Sequence, residues 1–353
     1  MNEFLKKIGI EHPIILAPMA GGPSTPELAA AVSNAGGLGS VGAAYLSGAE
    51  IVSLIERTRA LTAKPFSLNL FAGGYGLPAN GNKTVDPGPV IAIMTEIHSQ
   101  LGLPKPEVPP MPSFPFDEQV EAVRVSKPPV FSFTFGLPGR DVIARLQSKG
   151  ILVLGTATTK EEGRLLAEAG VDGIVAQGAE AGAHRGTFAG SFESSMIPTL
   201  QLVREIAALS FPPVVASGGI MDGRDIAQAL AAGAAAVQMG TAFLPCPECG
   251  ASEVYKNALL SVHEDTTIVT RAFSGRPARG LRNDFIQRLA GKEEIILPFP
   301  QQNVLTRPMR KQATEKKDLR FLSLWAGTGV ARSRRLPAAE MVRALVSETK
   351  ISI

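Results

Sequence analysis

One histidine in this chain sits in a setting suited to proton chemistry. His184 lies near the end of the stretch Gln177-Gly178-Ala179-Glu180-Ala181-Gly182-Ala183-His184-Arg185-Gly186. A loop of glycine and alanine can pass close beneath a flat ring and then deliver one imidazole at its end. Imidazole is the side chain suited to accept a proton or meet an anion near neutral pH. Glu180 and Arg185 flank it, either as supports of the loop or as solvated charges. The chain has four histidines, and the other three have blander settings. His12 precedes Pro13 at the start of an apolar run, His98 lies in a helical stretch, and His263 follows another. Each fits a structural or surface role.

Two glycine turns form a second group. Ser217-Gly218-Gly219 ends one apolar run, and Gln238-Met239-Gly240-Thr241 ends the next. Glycine lets backbone N–H groups approach a phosphate with no Cβ in the way. Asp222-Gly223-Arg224 then opens a helical stretch, whose N-terminus favours an anion. Three uncharged amides, Asn69, Gln177 and Gln238, also end apolar runs. An amide carries both donors and acceptors. That suits the alternating edge of a flavin ring, and it also suits amides closing a barrel layer on one another. A phosphate cradle beside an amide-lined apolar pocket points to FMN more than to a free sugar phosphate. Cys246-Pro247-Glu248-Cys249 spaces two cysteines as CxxC. A redox pair is one reading. Zinc would need two further ligands, and a plain proline-bounded loop is the simplest account.

These residues need a scaffold that brings strand ends together. Short apolar runs alternate with amphipathic helical stretches, the βαβα pattern of a parallel sheet. The runs fall at 12–19, 38–42, 66–71, 130–135, 151–156, 173–176, 213–217 and 235–240. Helices are expected at 25–35, 49–61, 117–126, 140–148, 160–169, 196–209 and 224–232, with a loop from 177 to about 194. Eight strands with helices between them are the (β/α)₈ barrel count. The rival is a doubly wound open sheet. Its glycine fingerprint after the first strand is missing, because that strand ends in Ala17-Pro18-Met19-Ala20-Gly21-Gly22. In a (β/α)₈ barrel the site lies at the C-terminal ends of the strands, with phosphate after strands seven and eight. The glycine turns fall there.

The segment 72–116 is rich in glycine and proline around a helical stretch at 90–101, and so long a connection is usually functional. After the eighth run come a helix at 252–261, a Gly/Arg-rich stretch at 271–282 and a Pro-rich segment at 297–308. A final helix at 338–346 can return as the eighth barrel helix. The expected division is therefore a barrel of residues 1–245 and 326–353, with a small cap of residues 246–325 over the strand ends.

Bulk composition sets outer bounds. Hydrophobic residues make up 45% of the 353 and charged residues 19%, enough for a large core and too apolar for disorder. The net charge is +3. The densest basic run, Arg307, Arg310, Lys311, Lys316, Lys317 and Arg320, has few aromatics among it, so it reads as a solvated face and not as a nucleic-acid patch. A modest positive field can still draw in a small anion. No apolar run is long enough to span a membrane, and residues 1–14 lack the apolar core of a signal peptide. Two cysteines make no disulfide framework. A cytoplasmic protein is expected, and a homodimer is allowed.

Pro13-Ile14-Ile15-Leu16-Ala17-Pro18-Met19 and Ser33-Asn34-Ala35-Gly36-Gly37-Leu38-Gly39 resemble the opening of nitronate monooxygenases. Phe131-Ser132-Phe133-Thr134-Phe135-Gly136, the 176–186 stretch, the 216–225 stretch, Gln238 to Phe243 and Trp325-Ala326-Gly327 resemble later motifs of the class I members. The likeness covers most of the chain. It implies FMN held by Asn69, Gln177, Gly182, Gly219 and Gln238 to Thr241, with Ala17, Pro18, Met19, Ser217 and Gly218 in the same strand-end wall. Trp325 and Gly327 are then near the flavin. It implies His184 as a catalytic base that takes the α-proton of a neutral nitroalkane, or as an imidazolium that holds nitronate oxygens. The implied reaction turns an alkyl nitronate such as propionate 3-nitronate, with O₂, into a carbonyl compound and nitrite. The rival on the same scaffold is an FMN-dependent reductase using NAD(P)H on an enoyl thioester or a quinone. One departure is Ala183, where class I members usually carry glycine.

Overall fold

The computed structural model describes residues 2–72, 85–111 and 115–352. Part of the expected long connection, at 73–84 and 112–114, lies outside the described residues. The first elements are α1 (Glu3–Ile8), β1 (Ile14–Leu16), α2 (Pro26–Asn34), β2 (Gly39–Gly42), α3 (Gly48–Leu61) and β3 (Phe66–Phe71). The long connection carries α4 (Gly88–Leu101) and leads to α5 (Phe116–Ser126) and β4 (Val130–Thr134). Then follow α6 (Arg140–Gln147), β5 (Leu152–Ala157), α7 (Lys160–Ala169), β6 (Gly173–Gln177) and the two-residue β7 (Ala183–His184). The second half of the barrel adds α8 (Thr199–Ala207), β8 (Val214–Ser217), α9 (Gly223–Ala231) and β9 (Ala236–Met239).

Eight parallel strands form one sheet in the order β1-β9-β8-β6-β5-β4-β3-β2. A parallel bridge between Ile15 and Leu38, just before β2, joins its two ends. The architecture is a (β/α)₈ barrel. Its strands read as nearly unbroken small and β-branched residues, because both faces of a parallel sheet are covered. Val214 to Ser217 are buried throughout.

The helices begin where side chains satisfy their first N–H groups. Thr25 caps α2, with Pro26 at the first position, and Ser47 with Glu50 forms a capping box on α3. The expected 196–209 helix is shorter because Pro198 sits at its start. Helix α8 begins at Thr199, whose N–H donates to Glu180 at 2.9 Å. Helix α1 was not among the sequence-based expectations. Asn2 caps it, Gly9 ends it in the left-handed conformation, and Phe4, Leu5 and Ile8 face inward. They pack with Ile15, Leu38, Val130, Leu154, Val175, Val215 and Ala236, inward residues from seven barrel positions. Helix α1 therefore plugs the end of the barrel opposite the expected site.

After β9 come α10 (Glu253–Leu260), β10 (Thr267–Thr270), β11 (Ala278–Leu281) and α11 (Asp284–Leu289). Then follow α12 (Gln301–Leu305), α13 (Arg307–Glu315) and α14 (Ala338–Ser352). Helix α14 runs longer than the expected 338–346 and packs against α9 and α2, the slot of an eighth barrel helix. One expectation is corrected here. The stretch 177–194 is not all loop, because Ala183 and His184 pair antiparallel with Arg279 and Ala278 of β11, which also pairs with β10. Helix α12 and the start of α13 fall within the Pro-rich 297–308 segment.

Candidate active site

The C-terminal ends of the barrel strands and the residues after β9 enclose one cavity of about 680 Å³, a size typical of cofactor and ligand sites. The strand-end group gathers there as expected. Ala17, Pro18 and Met19 after β1, Asn69 of β3, Gln177 of β6, Ser217 to Gly219 after β8 and Gln238 to Thr241 at β9 all line it, as do Gly182, His184 and Trp325. Gly327 is the exception. A Cβ on Gly327 would lie 2.5 Å from the Glu180 carbonyl oxygen, and one on Gly182 would lie 2.5 Å from the Gly327 nitrogen. The two glycines permit two backbones to touch back to back, and Gly327 supports the wall from behind.

One end of the cavity offers unpaired backbone donors. The N–H groups of Gly219, Ile220, Gly240 and Thr241 donate to no other described group. Gly218 and Gly219 lie at φ 131° and 71°, a region open to glycine. The start of α9 does not take part, which corrects the sequence-based expectation. Its donors are already met by carboxylates: Met221 N–H by Asp225, Gly223 N–H by Glu348, and Asp225 N–H by Asp222. A phosphate there would meet negative charge. The two glycine turns fit a phosphate, and the helix start does not.

The amides divide into two roles. The Asn69 amide donates to Ser132 Oγ at 2.9 Å, and the Gln238 side chain makes no hydrogen bond to a described group, so both keep capacity for a ligand. Gln177 is engaged at both ends. Its Nε2 donates to the His184 carbonyl at 3.0 Å, and its Oε1 accepts from Gly186 N–H at 2.7 Å. Gln177 thus clamps the loop that carries the histidine. Glu180 and Arg185 are also loop supports. Glu180 caps α8 through Thr199, and the fully buried Arg185 donates to the carbonyls of Gly178, Gln177 and Ser195.

His184 is half-buried in the cavity wall. Its Nε2 lies 2.8 Å from Ser274 Oγ, and its Nδ1 has no partner among the described residues. Its ring meets Phe135, Phe299 and Trp325 at centroid distances of 5.9, 5.6 and 5.7 Å. Burial pushes its pKa down to about 3, and the nearby Arg276 and Arg310 guanidinium groups add to the effect. These causes favour the neutral imidazole. Two neighbours carry strained backbone. Ala183 and Phe135 sit at φ 61° and 74°, where a Cβ is unfavourable. Such strain gathers where surrounding structure fixes a functional group.

The cap side adds residues that the sequence did not single out. Arg276 stacks 3.9 Å over the Phe135 ring and donates to the Arg185 and Thr187 carbonyls, so it ties the cap to the histidine loop. Tyr255 donates to the Trp325 carbonyl. The largest correction concerns the basic run. Arg307, Arg310 and Lys311 line the cavity from α13, whereas Lys316, Lys317 and Arg320 remain exposed. The run is not one solvated face, because α13 presents its first turns to the cavity. Arg310 Nη2 donates to the Asn303 carbonyl and side chain at 2.8 Å. Its Nε is buried with no partner among the described residues.

Cys246 and Cys249 are both buried, in a turn closed by Cys249 N–H and the Cys246 carbonyl at 3.1 Å. Burial pushes the Cys246 thiol up to about 12 and raises Cys249 as well, the opposite of an activated thiolate. No cluster of metal-ligating side chains occurs among the described residues. No helix among them is long and apolar enough to cross a membrane.

Comparison with known proteins follows the same outline. A family model described as nitronate monooxygenase matches residues 2–348. A nitronate monooxygenase of Pseudomonas aeruginosa is 42% identical over 355 residues, covering 99% of both chains. A probable nitronate monooxygenase of Staphylococcus haemolyticus is 38% identical over 347 residues, covering 98% of this chain and 95% of the other. The solved structure of nitroalkane oxidase from Streptomyces ansochromogenes matches with a TM-score of 0.90 at 39% identity, covering 98% of each chain. FabK from Thermotoga maritima matches with a TM-score of 0.76 at 28% identity, covering 100% of this chain and 97% of that one.

Proposed function

For a chain that belongs to the nitronate monooxygenase family, a class of flavin-dependent oxidoreductases that oxidise nitronates, we propose a finer reading. The enzyme binds FMN and uses O₂ to convert an alkyl nitronate into a carbonyl compound and nitrite. Its preferred nitronate carries a carboxylate, as propionate 3-nitronate does. The observation that carries this reading is the convergence of His184 with Arg307, Arg310 and Lys311 on one cavity.

The phosphate of FMN would be held by the N–H groups of Gly219, Ile220, Gly240 and Thr241, and the ring edge by Asn69 and Gln238. When bound, FMN supplies the electron transfer from nitronate to O₂ that no side chain here can perform. The chain's residues do the rest. Arg307, Arg310 and Lys311 attract an anion and hold its carboxylate at the cap side. Phe135, Phe299 and Trp325 close an apolar wall around His184 and limit water. When a neutral nitroalkane is offered, His184 Nδ1 takes the α-proton. The anion formed offsets the arginines that depress His184, so imidazolium arises opposite a negative charge.

Loss of a general base costs roughly 10²–10⁴ in rate. His184→Asn is expected to lose that much turnover of neutral nitroalkane while retaining most turnover of preformed nitronate, measured as nitrite release. Equal loss on both substrates removes the base role. The same purified protein, made anaerobic and mixed with NADH, separates the reductase reading. Slow or absent bleaching of its flavin supports nitronate oxidation, and rapid bleaching supports a reductase of the FabK kind.

A further inference from the structure

Ser274 lies in the turn before β11, far from the histidine loop in sequence, and is almost fully buried. Its hydroxyl has one hydrogen to give and two lone pairs to receive. Three groups surround it: His184 Nε2 at 2.8 Å, the Arg276 carbonyl at 3.1 Å and the Arg276 N–H at 3.3 Å. The Arg276 N–H can only donate, and the Arg276 carbonyl can only accept. No other described group donates to that carbonyl. If Ser274 gives its hydrogen to the carbonyl, all three contacts are satisfied, provided that Nε2–H donates to Ser274 Oγ. If Ser274 instead gives its hydrogen to Nε2, the Arg276 carbonyl loses its one donor among the described residues. The hydrogen count therefore selects one neutral imidazole form.

We propose that Ser274 is a positioning residue that holds the hydrogen of His184 on Nε2 and leaves the Nδ1 lone pair facing the cavity. This rests on the reading of His184 as a base and deepens it. Arg276 acts in the same unit, because its backbone fixes the Ser274 hydroxyl while its side chain, stacked on Phe135, holds the ring wall that meets His184. A base of fixed tautomer needs no ring flip before each proton transfer, and the wrong tautomer can cost as much as roughly 10⁴-fold in a serine-protease triad.

The test is ¹⁵N NMR of the FMN-loaded enzyme with labelled histidine. The His184 signals are identified by their absence in His184→Asn. The expected spectrum shows the hydrogen on Nε2. Ser274→Ala is expected to shift that pattern toward a mixture of tautomers and to lower neutral nitroalkane turnover by roughly ten- to a hundredfold, with preformed nitronate turnover nearly unchanged. A wild-type spectrum with the hydrogen on Nδ1 overturns the proposal, even if Ser274→Ala does not fold. So does an unshifted His184 pattern in folded Ser274→Ala. Should the Nε2–H form be found while His184→Asn loses both activities alike, the positioning role stands and the base role falls.

Discussion

The strand-end floor of the cavity and its cap-side wall reach the same ligand space by different routes. On the floor, each contributing group is a short consecutive run: Ala17 to Met19, Ser217 to Gly219, Gln238 to Thr241. The barrel sets their relative positions by strand register, and the backbone supplies most of the donors. On the cap side, Ser274 and Arg276 share one turn, Phe299 and Arg310 come from further along the chain, and their side chains meet His184, Phe135 or Asn303. On the proposed reading, the floor takes the cofactor and the wall meets the substrate's charge. His184 sits at the seam. Gln177 and Arg185 hold its loop from the barrel, and β11, Ser274 and Arg276 hold it from the cap.

Substitutions on each side should separate these roles. The largest expected effect is on the wall. A hydrogen bond to a charged group is worth about 1.5–3 kcal/mol. Arg310→Met is therefore expected to raise the KM for a carboxylate-bearing nitronate by roughly ten- to a hundredfold, with little change for ethyl nitronate. A similar loss on both substrates would move Arg310 from carboxylate recognition to general support. The same substitution removes one of two positive charges that depress His184. Burial, the largest cause, and Arg276 remain, so its pKa should rise only slightly from about 3, well short of the ordinary value near 6.5, and the acid limb of nitroalkane turnover moves slightly to higher pH. The depressed pKa also has a stability consequence. The unfolded chain binds the His184 proton more readily between those two values, so this contribution is whole above pH 6.5 and is lost as pH falls toward 3.

A floor substitution should act on cofactor and not on substrate. Gly219→Ala forces a Cβ into φ 71° and sets it 3.0 Å from the Glu180 Cβ. The conformation alone costs about 1–2 kcal/mol. FMN should bind roughly tenfold more weakly, read by flavin fluorescence titration, while the KM of the fully loaded enzyme holds. Unchanged FMN affinity would place the phosphate elsewhere. The smallest effect lies at the seam. Ala183→Gly relieves the φ 61° strain and should stabilise the fold by up to about 1 kcal/mol in denaturant titration. The freer loop should lower nitroalkane turnover by roughly two- to fivefold. A gain in both stability and rate would show that the Ala183 methyl does nothing for His184.

The degree to which each part was legible follows from the range of its interactions. The barrel was readable because alternating apolar runs and capped helices are local patterns, and the count of eight fixes closure. The floor was readable because strand ends and glycine turns are consecutive in sequence. Helix α1 was legible in principle from Asn2, the Phe4–Ile8 spacing and Gly9, signals that a search for a leader peptide passes over. The anion preference of the α9 start was misread because Glu348, which occupies it, arrives from α14 at the other end of the chain. The basic run was misread because charge spacing alone does not show which turn of α13 faces inward.

By itself, then, the sequence determined a (β/α)₈ barrel, glycine turns and amides at its strand ends, and one histidine among four at that same end. Those are properties of periodicity, backbone conformation and residue type. Tertiary structure alone decided the burial and hydrogen-bond partner of that histidine, the engagement of Gln177 and the place of Arg310 on the cavity. Each depends on the distance between residues remote in the chain, and burial and hydrogen bonding are set by such distances.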